Sequence, residues 1–386
     1  MDKHRSPRCE NSIFFMHMNR FKALHTTASF VITVFLGMFG WSAAFPQEDH
    51  NQAQRCAVTQ CNACHTAHNS QDGSVIDVDS LSGNPNLLAD AAPSDICLDC
   101  HSRYGQLSSN GQTLTPGGDF FWTTRDVAFT DASGTQQRID GREHGHNLHS
   151  PGHGLTADDV LTVAPGGTFD SSRLGCHSCH DPHGNANFRF LYGAGETASD
   201  YPGGYTFAFP APIAEGYPLG SGQSGMGAET TGQHTAYISG MSDWCANCHE
   251  GIHSKMSSAM LHPVDESIGS EISGSYNAYL TTGEMNGDWA TAYLPLVPFE
   301  DAGNTTHSTT GTTSTSKVMC LTCHRAHASP YPDAGRWDFG QTWLKESQPS
   351  REPYLAQYDG NPLNLLNQRS LCNKCHPHDL DDRPGN

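Results

Sequence analysis

Six times along the chain, two cysteines separated by two residues are followed at once by a histidine. The motifs are CNACH (Cys61, Cys64, His65), CLDCH (Cys97, Cys100, His101), CHSCH (Cys176, Cys179, His180), CANCH (Cys245, Cys248, His249), CLTCH (Cys320, Cys323, His324) and CNKCH (Cys372, Cys375, His376). This spacing sets both sulfurs on one side of a helical turn, where they can form thioethers to the two vinyl groups of one porphyrin. The adjoining imidazole then points at the iron. On composition alone, histidine at that offset after all six pairs has a chance probability of roughly 10⁻⁷. Tetrahedral zinc draws four ligands from paired motifs and does not need histidine at one fixed offset. The sequence therefore predicts six covalently attached haems c, with twelve thioether cysteines and proximal ligands His65, His101, His180, His249, His324 and His376.

The sixth iron ligand separates electron transfer from catalysis, because an iron with both axial positions filled has no open site for a substrate. The chain has 23 histidines. His68, His183 and His327 stand three residues after an attachment histidine, in CHTAH, CHDPH and CHRAH. A residue one turn on projects away from its own porphyrin, toward a neighbouring iron. His146 in GHN, His253 in CHEGIH and His262 in LHP are further distal candidates, and Pro263 fixes the backbone beside His262. His307, in the Ser/Thr-rich stretch NTTHSTTGTTSTS, competes with His253 for the last iron. His50, His144, His149, His153, His177, His234 and His378 are expected to face solvent. Methionine spacing singles out no ligand. A multihaem reductase needs an open iron, and a surplus of imidazoles without any CxxCK variant argues against one.

The attachment histidines are separated by 36, 79, 69, 75 and 52 residues, which is no fixed-period repeat. With 39 glycines and 22 prolines, a loop-rich multihaem cytochrome c is expected, mostly coil, with short helices at the CxxCH motifs and minimal β structure. Its haem chain should form the core. Gly193 to Gly232 reads as ordered coil, and Trp122, Trp244, Trp289, Trp337 and Trp343 read as packing for haem edges.

Residues 1–44 read as an export signal: a charged start at Asn19 to Lys22, an apolar run from Ala28 to Trp41 and small residues Ser42, Ala43 and Ala44. Residues before Met16 or Met18 look superfluous. A single domain is expected over 45–386. Losing five basic and two acidic residues with the leader takes the net charge from −19 to −22, which disfavours nucleic acid as a partner. Cys56 is left over as an incidental thiol, with an intermolecular bond as the alternative.

The chain resembles the outer-membrane cytochrome S family, extracellular hexahaem cytochromes that polymerise into conductive filaments in metal-reducing bacteria. The resemblance rests on CHTAHNS (64–70), TPGGDFFW (115–122), GHN (145–147), APGGTF (164–169) and CHDPHG (179–184), and on GMSDWCANCHEGIH (240–253), AYLPLVPFED (292–301), CLTCHRAHAS (320–329) and SLCNKCH (370–376). It departs in shorter loops after His101 and His327 and in the extra Cys56. The resemblance implies bis-histidine ligation of six haems in one chain of alternating parallel and T-shaped neighbours. It also implies that His68 ligates the fifth haem (Cys320, Cys323, His324) of an adjacent protomer, a head-to-tail contact that generates open polymers. The function expected is electron hopping between haem edges on the order of 3.5 to 4 Å apart, without catalytic residues. Its partners are expected to be further copies, redox proteins at the cell surface and an extracellular acceptor such as a metal oxide. A monomeric periplasmic electron shuttle is the alternative, sharing every haem motif and differing at the interface.

Overall fold

The structure is a computed structural model that describes residues 60–66, 69–71, 74–75, 77–78, 80–102, 105–111, 115–131, 133–198, 204–217, 233–253, 261–278, 297–308, 311–341 and 371–376. The leader, His50, Cys56, His68, Trp289, Trp343 and His378 lie outside the described residues.

The helices are short and most belong to the motifs. Helix α1 (Pro93–His101) carries the second motif and starts with Pro93, whose missing N–H costs nothing in a first turn. Helix α2 (Met241–His249) carries the fourth. It follows Gly240 at φ 84°, and since glycine has no side chain to cap the helix, a distant carboxylate serves instead: Glu300 Oε1 accepts the Met241 N–H at 2.6 Å. Helix α3 (Gly269–Ala278) carries no motif, and α4 (Cys320–Cys323) is the single turn of the fifth motif. The first, third and sixth motifs sit on 3-10 turns at Gln60–Ala63, Cys176–Ser178 and Leu371–Lys374.

The β structure among the described residues is four two-stranded antiparallel ribbons. They pair β1 (Ser70–Gln71) with β2 (Ser74–Val75), β3 (Val127–Thr130) with β4 (Gln136–Ile139), β5 (Thr197–Ala198) with β6 (Tyr205–Thr206), and β7 (Ile213–Glu215) with β8 (Ala236–Ser239). The described chain is thus loop-rich, with short helices and little β structure, as composition suggests. Of the stretch expected to be ordered coil, residues 193–198 and 204–217 hold β5, β6 and β7, and 199–203 and 218–232 lie outside the described residues.

The buried apolar residues fall into separate small clusters. Leu98, Phe120, Phe121, Trp122, Leu148, Leu155 and Ala328 pack beside Cys176. Tyr237, Met241, Met319 and Leu321 pack beside Cys245, and Tyr276, Val297 and Trp337 beside Cys323 and Cys375. Tyr192, Ala198 and Phe207 pack beside Trp244, next to the fourth motif. Apolar packing is therefore organised around the motif cysteines. Two histidines expected at the surface are buried: His144 is 0% exposed with its ring 6.0 Å from Trp122, and His234 is 3% exposed. Each lies where separate segments converge, a burial that local sequence does not encode.

Candidate cofactor-binding sites

Consecutive motifs are neighbours in space. Cys97 lies beside Cys176, and Cys245 beside Cys320. Cys64 is likewise a neighbour of Cys100, Cys179 of Cys248 and Cys323 of Cys372. The six attachment points therefore run in sequence order, first to sixth.

Two joints of this chain share one construction. The Ser94 hydroxyl of α1 accepts the Cys176 N–H at 3.2 Å, and the Ser242 hydroxyl of α2 accepts the Cys320 N–H at 3.2 Å. Within the receiving motifs, Ser178 Oγ accepts the Gly175 N–H and Thr322 Oγ1 accepts the Met319 N–H. The signature Ser-Asp-x-Cys-x-x-Cys-His occurs at both accepting helices, 94–101 and 242–249.

Four of the six attachment histidines share a tautomer. Nδ1–H donates to a backbone carbonyl at His65 (Asn86 O, 2.9 Å), His180 (Arg189 O, 2.8 Å), His249 (Pro165 O, 2.9 Å) and His324 (Asp333 O, 2.7 Å). His146 does the same toward Ala326 O at 2.7 Å. That bond leaves Nε2 bare for a metal and orients the ring. His101 ends α1, and His376 follows the turn at Leu371–Lys374.

Histidine rings then face one another across a fixed gap: His65 and His183 at 6.3 Å between centroids, His146 and His249 at 6.1 Å, His180 and His327 at 6.5 Å, and His262 and His376 at 6.0 Å. An iron bound by two imidazole nitrogens at about 2 Å each sets the centroids about 6.3 Å apart, since each centroid lies about 1.15 Å behind its nitrogen. The residues present therefore fit a haem at each of these four positions.

Burial lowers the pKa of His327 to about 3, so its ring is neutral at ordinary pH, as metal ligation requires, and desolvation with the facing His249 lowers His146 as well. His249 and His262 are lowered by the same desolvation. Three segments hold these rings. His327 N–H donates to Gly117 O at 2.7 Å, His146 N–H donates to His327 O at 2.9 Å, and Ala328 bridges both Gly118 and Gly145.

Other distal candidates are placed differently. His253, 3% exposed, has Nε2 3.3 Å from an Asp243 carboxylate oxygen in the first turn of α2. His307 donates Nδ1–H to His234 O at 3.2 Å, with its ring against Tyr217. The carbonyls that orient the histidines were not foreseen from sequence. The one available signal was Pro-Asn at 85–86 and Pro-Asp at 332–333, dipeptides that favour turns.

No protein-family model matches the chain. It is similar to the C-type cytochrome OmcS of Geobacter sulfurreducens, at 31% identity over 83% of this chain and 93% of that protein. Two solved structures are similar. One is an outer membrane cytochrome S filament from the same organism, with TM-score 0.66 and 30% identity, covering 83% of this chain and 98% of the other. The second, OmcS nanowires seen by electron cryomicroscopy, has TM-score 0.63 and 28% identity, covering 83% and 99%.

Proposed function

Because the chain belongs to the family of the C-type cytochrome OmcS, we propose that it carries electrons through six bis-histidine haems c in an extracellular filament of its own copies. Each haem, when bound, supplies one reversible one-electron couple. The twelve motif cysteines anchor the six porphyrins. His183 completes the iron held by His65, His327 that of His180, His146 that of His249, and His262 that of His376. The observation carrying this reading is the common gap of 6.0 to 6.5 Å between facing rings.

The same geometry supports assembly. The second histidine of the third motif, His183, faces the first motif, and His327 of the fifth faces the third. Each of these histidines reaches two motifs back. His68 occupies that position in the first motif, and two motifs back from there lies the fifth motif of a preceding copy. His68 therefore ligates the His324 iron of a neighbouring protomer, and the surplus of imidazoles supplies the second motif. The joints also leave open ends. Motifs two and three are clasped, as are four and five, whereas one and six find the corresponding neighbour in another copy. Electrons entering at one end leave for an acceptor outside the cell.

Two measurements test the reading. Purified holoprotein should be fully low-spin and should not bind carbon monoxide when reduced; a high-spin component in the wild type would overturn bis-histidine ligation. Micrographs of the secreted protein should show filaments that His68→Ala abolishes. A wild type that stays dispersed would favour the monomeric shuttle.

A further inference from the structure

Eight non-glycine residues among those described have positive φ, and six of them form three consecutive pairs: Asn86–Leu87 (56° and 58°), Arg189–Phe190 (52° and 56°) and Asp333–Ala334 (57° and 52°). Left-handed backbone is unfavourable for any residue with a Cβ, and consecutive occurrences are rarer still. Strain of this kind persists where surrounding structure imposes it, and it concentrates at functional positions.

All three pairs stand in one relation to a motif. The carbonyl of the first residue accepts the Nδ1–H of a proximal histidine: Asn86 from His65, Arg189 from His180, Asp333 from His324. The carbonyl of the second accepts the N–H of the residue after that histidine, Thr66 at 2.7 Å, Asp181 at 2.8 Å and Arg325 at 2.7 Å. Two residues further on, an N–H returns to the second cysteine of the motif: Ala89 to Cys64 O, Tyr192 to Cys179 O and Arg336 to Cys323 O. Two successive residues in one helical well point their carbonyls the same way, which lets adjacent carbonyls reach imidazole and backbone together. The left-handed sense turns the chain back so that the segments pair antiparallel, His65 with Leu88, His180 with Leu191 and His324 with Gly335. The device recurs although histidine and carbonyl are 21 residues apart in the first motif and 9 in the third and fifth. The side chains have little in common: Pro-Asn-Leu, Phe-Arg-Phe and Pro-Asp-Ala.

We propose that the paired left-handed turns at 86–87, 189–190 and 333–334 are positioning residues that fix the imidazole planes of His65, His180 and His324 and lower the reduction potentials of their three haems. The inference rests on the ligation reading above. A carbonyl held on Nδ1–H pushes electron density toward Nε2, which favours the ferric iron. The paired left-handed turn is common to the odd-numbered sites, whereas at α2 the His249 Nδ1–H reaches Pro165 O without such a pair of residues.

The experiment uses the full-length holoprotein and three substitutions at exposed Asp333: Asp333→Gly, Asp333→Asn and Asp333→Val. All three remove the carboxylate charge, but glycine and asparagine tolerate left-handed backbone and β-branched valine does not. Spectropotentiometric titration should give Gly and Asn variants with superposable curves. In the Val variant, one of the one-electron steps should shift upward by about tenfold in electron affinity, ~59 mV for such a couple. Paramagnetic resonance should show one low-spin signal with altered g values in that variant alone. Asn86→Val against Asn86→Gly repeats the comparison at a second exposed turn, and decides the matter if Asp333→Val fails to load all its haems. Coincident Val and Gly curves, in protein that is fully low-spin, would overturn the inference. A high-spin wild type would instead overturn the ligation on which it rests.

Discussion

At the scale of single residues, the distal histidines show how backbone and ring act together. His327 lies against Gly117, where an added Cβ would meet its Nδ1 at 2.6 Å, and Gly118 has φ 89° with the Ala328 carbonyl closing the space. A Cβ at Gly117 would displace the ring, and one at Gly118 the backbone of Ala328 beside it. Replacing His327 by Gly should leave one high-spin, carbon monoxide-binding haem per chain, at the third motif. His327→Met should keep that haem low-spin and raise its potential, because thioether is a weaker donor than imidazole to ferric iron. Optical titration of both variants checks this; a His327→Gly protein that stays fully low-spin would show that another ligand serves His180. The offset of three residues marks His183 and His327 as candidates from sequence alone. Which iron each one faces is not in that offset, because the partner lies 118 and 147 residues away.

At the scale of elements, the joint between a motif helix and the following motif depends on one buried hydroxyl. Ser94 is 0% exposed and Ser242 1%. Replacing either with alanine leaves a buried N–H unsatisfied, at Cys176 or Cys320, and should cost about 1 to 3 kcal/mol. The two joints use different helices and share no partner, so the double variant should be additive. Denaturation of the holoprotein measures both quantities, and losses well below that range would mean that the thioethers alone hold the joints. The β3–β4 hairpin offers a pH-dependent counterpart. Hydrogen bonds from Ser133, Gln137 and Thr135 lower Asp131 to about 2, and the Gly141 N–H with Arg138 lowers Asp126. A depressed folded-state pKa contributes stability above the ordinary carboxylate range, near about 4, which is lost as pH falls through the folded value. Amide exchange over residues 127–139, corrected for intrinsic rates, should therefore be steady from neutral pH down to about 5 and lose protection between about 4 and 2. Asp131→Asn should flatten that dependence. Protection maintained unchanged to pH 2 would show that these carboxylates do not hold the turn.

At the scale of the whole molecule, the apolar side chains alone do not make one core. The buried clusters among the described residues are small, and each lies at or beside a motif cysteine or its neighbour. Burial of this kind leaves the porphyrin faces to join the clusters, as the hydrophobic effect favours. Chain produced without haem attachment should accordingly lack stable tertiary structure, seen as rapid proteolysis and absent near-ultraviolet ellipticity. A protease-resistant apoprotein would show that the polypeptide can organise itself.

Sequence by itself determined what is chemically local: six CxxCH motifs with histidine at one fixed offset, the short helical turns that carry them and the coil-rich character between them. These are legible because cysteine and histidine must stand at fixed offsets on one turn. Only the tertiary structure decided which distal ring faces which attachment histidine, and that His253 and His307 lie against Asp243 and His234. Ring pairing joins residues 103 to 147 positions apart, and no local pattern records it. The repeated turn stayed hidden for a related reason. Its working atoms are backbone carbonyls, which every residue carries, and a loop of variable length separates them from the histidines they orient.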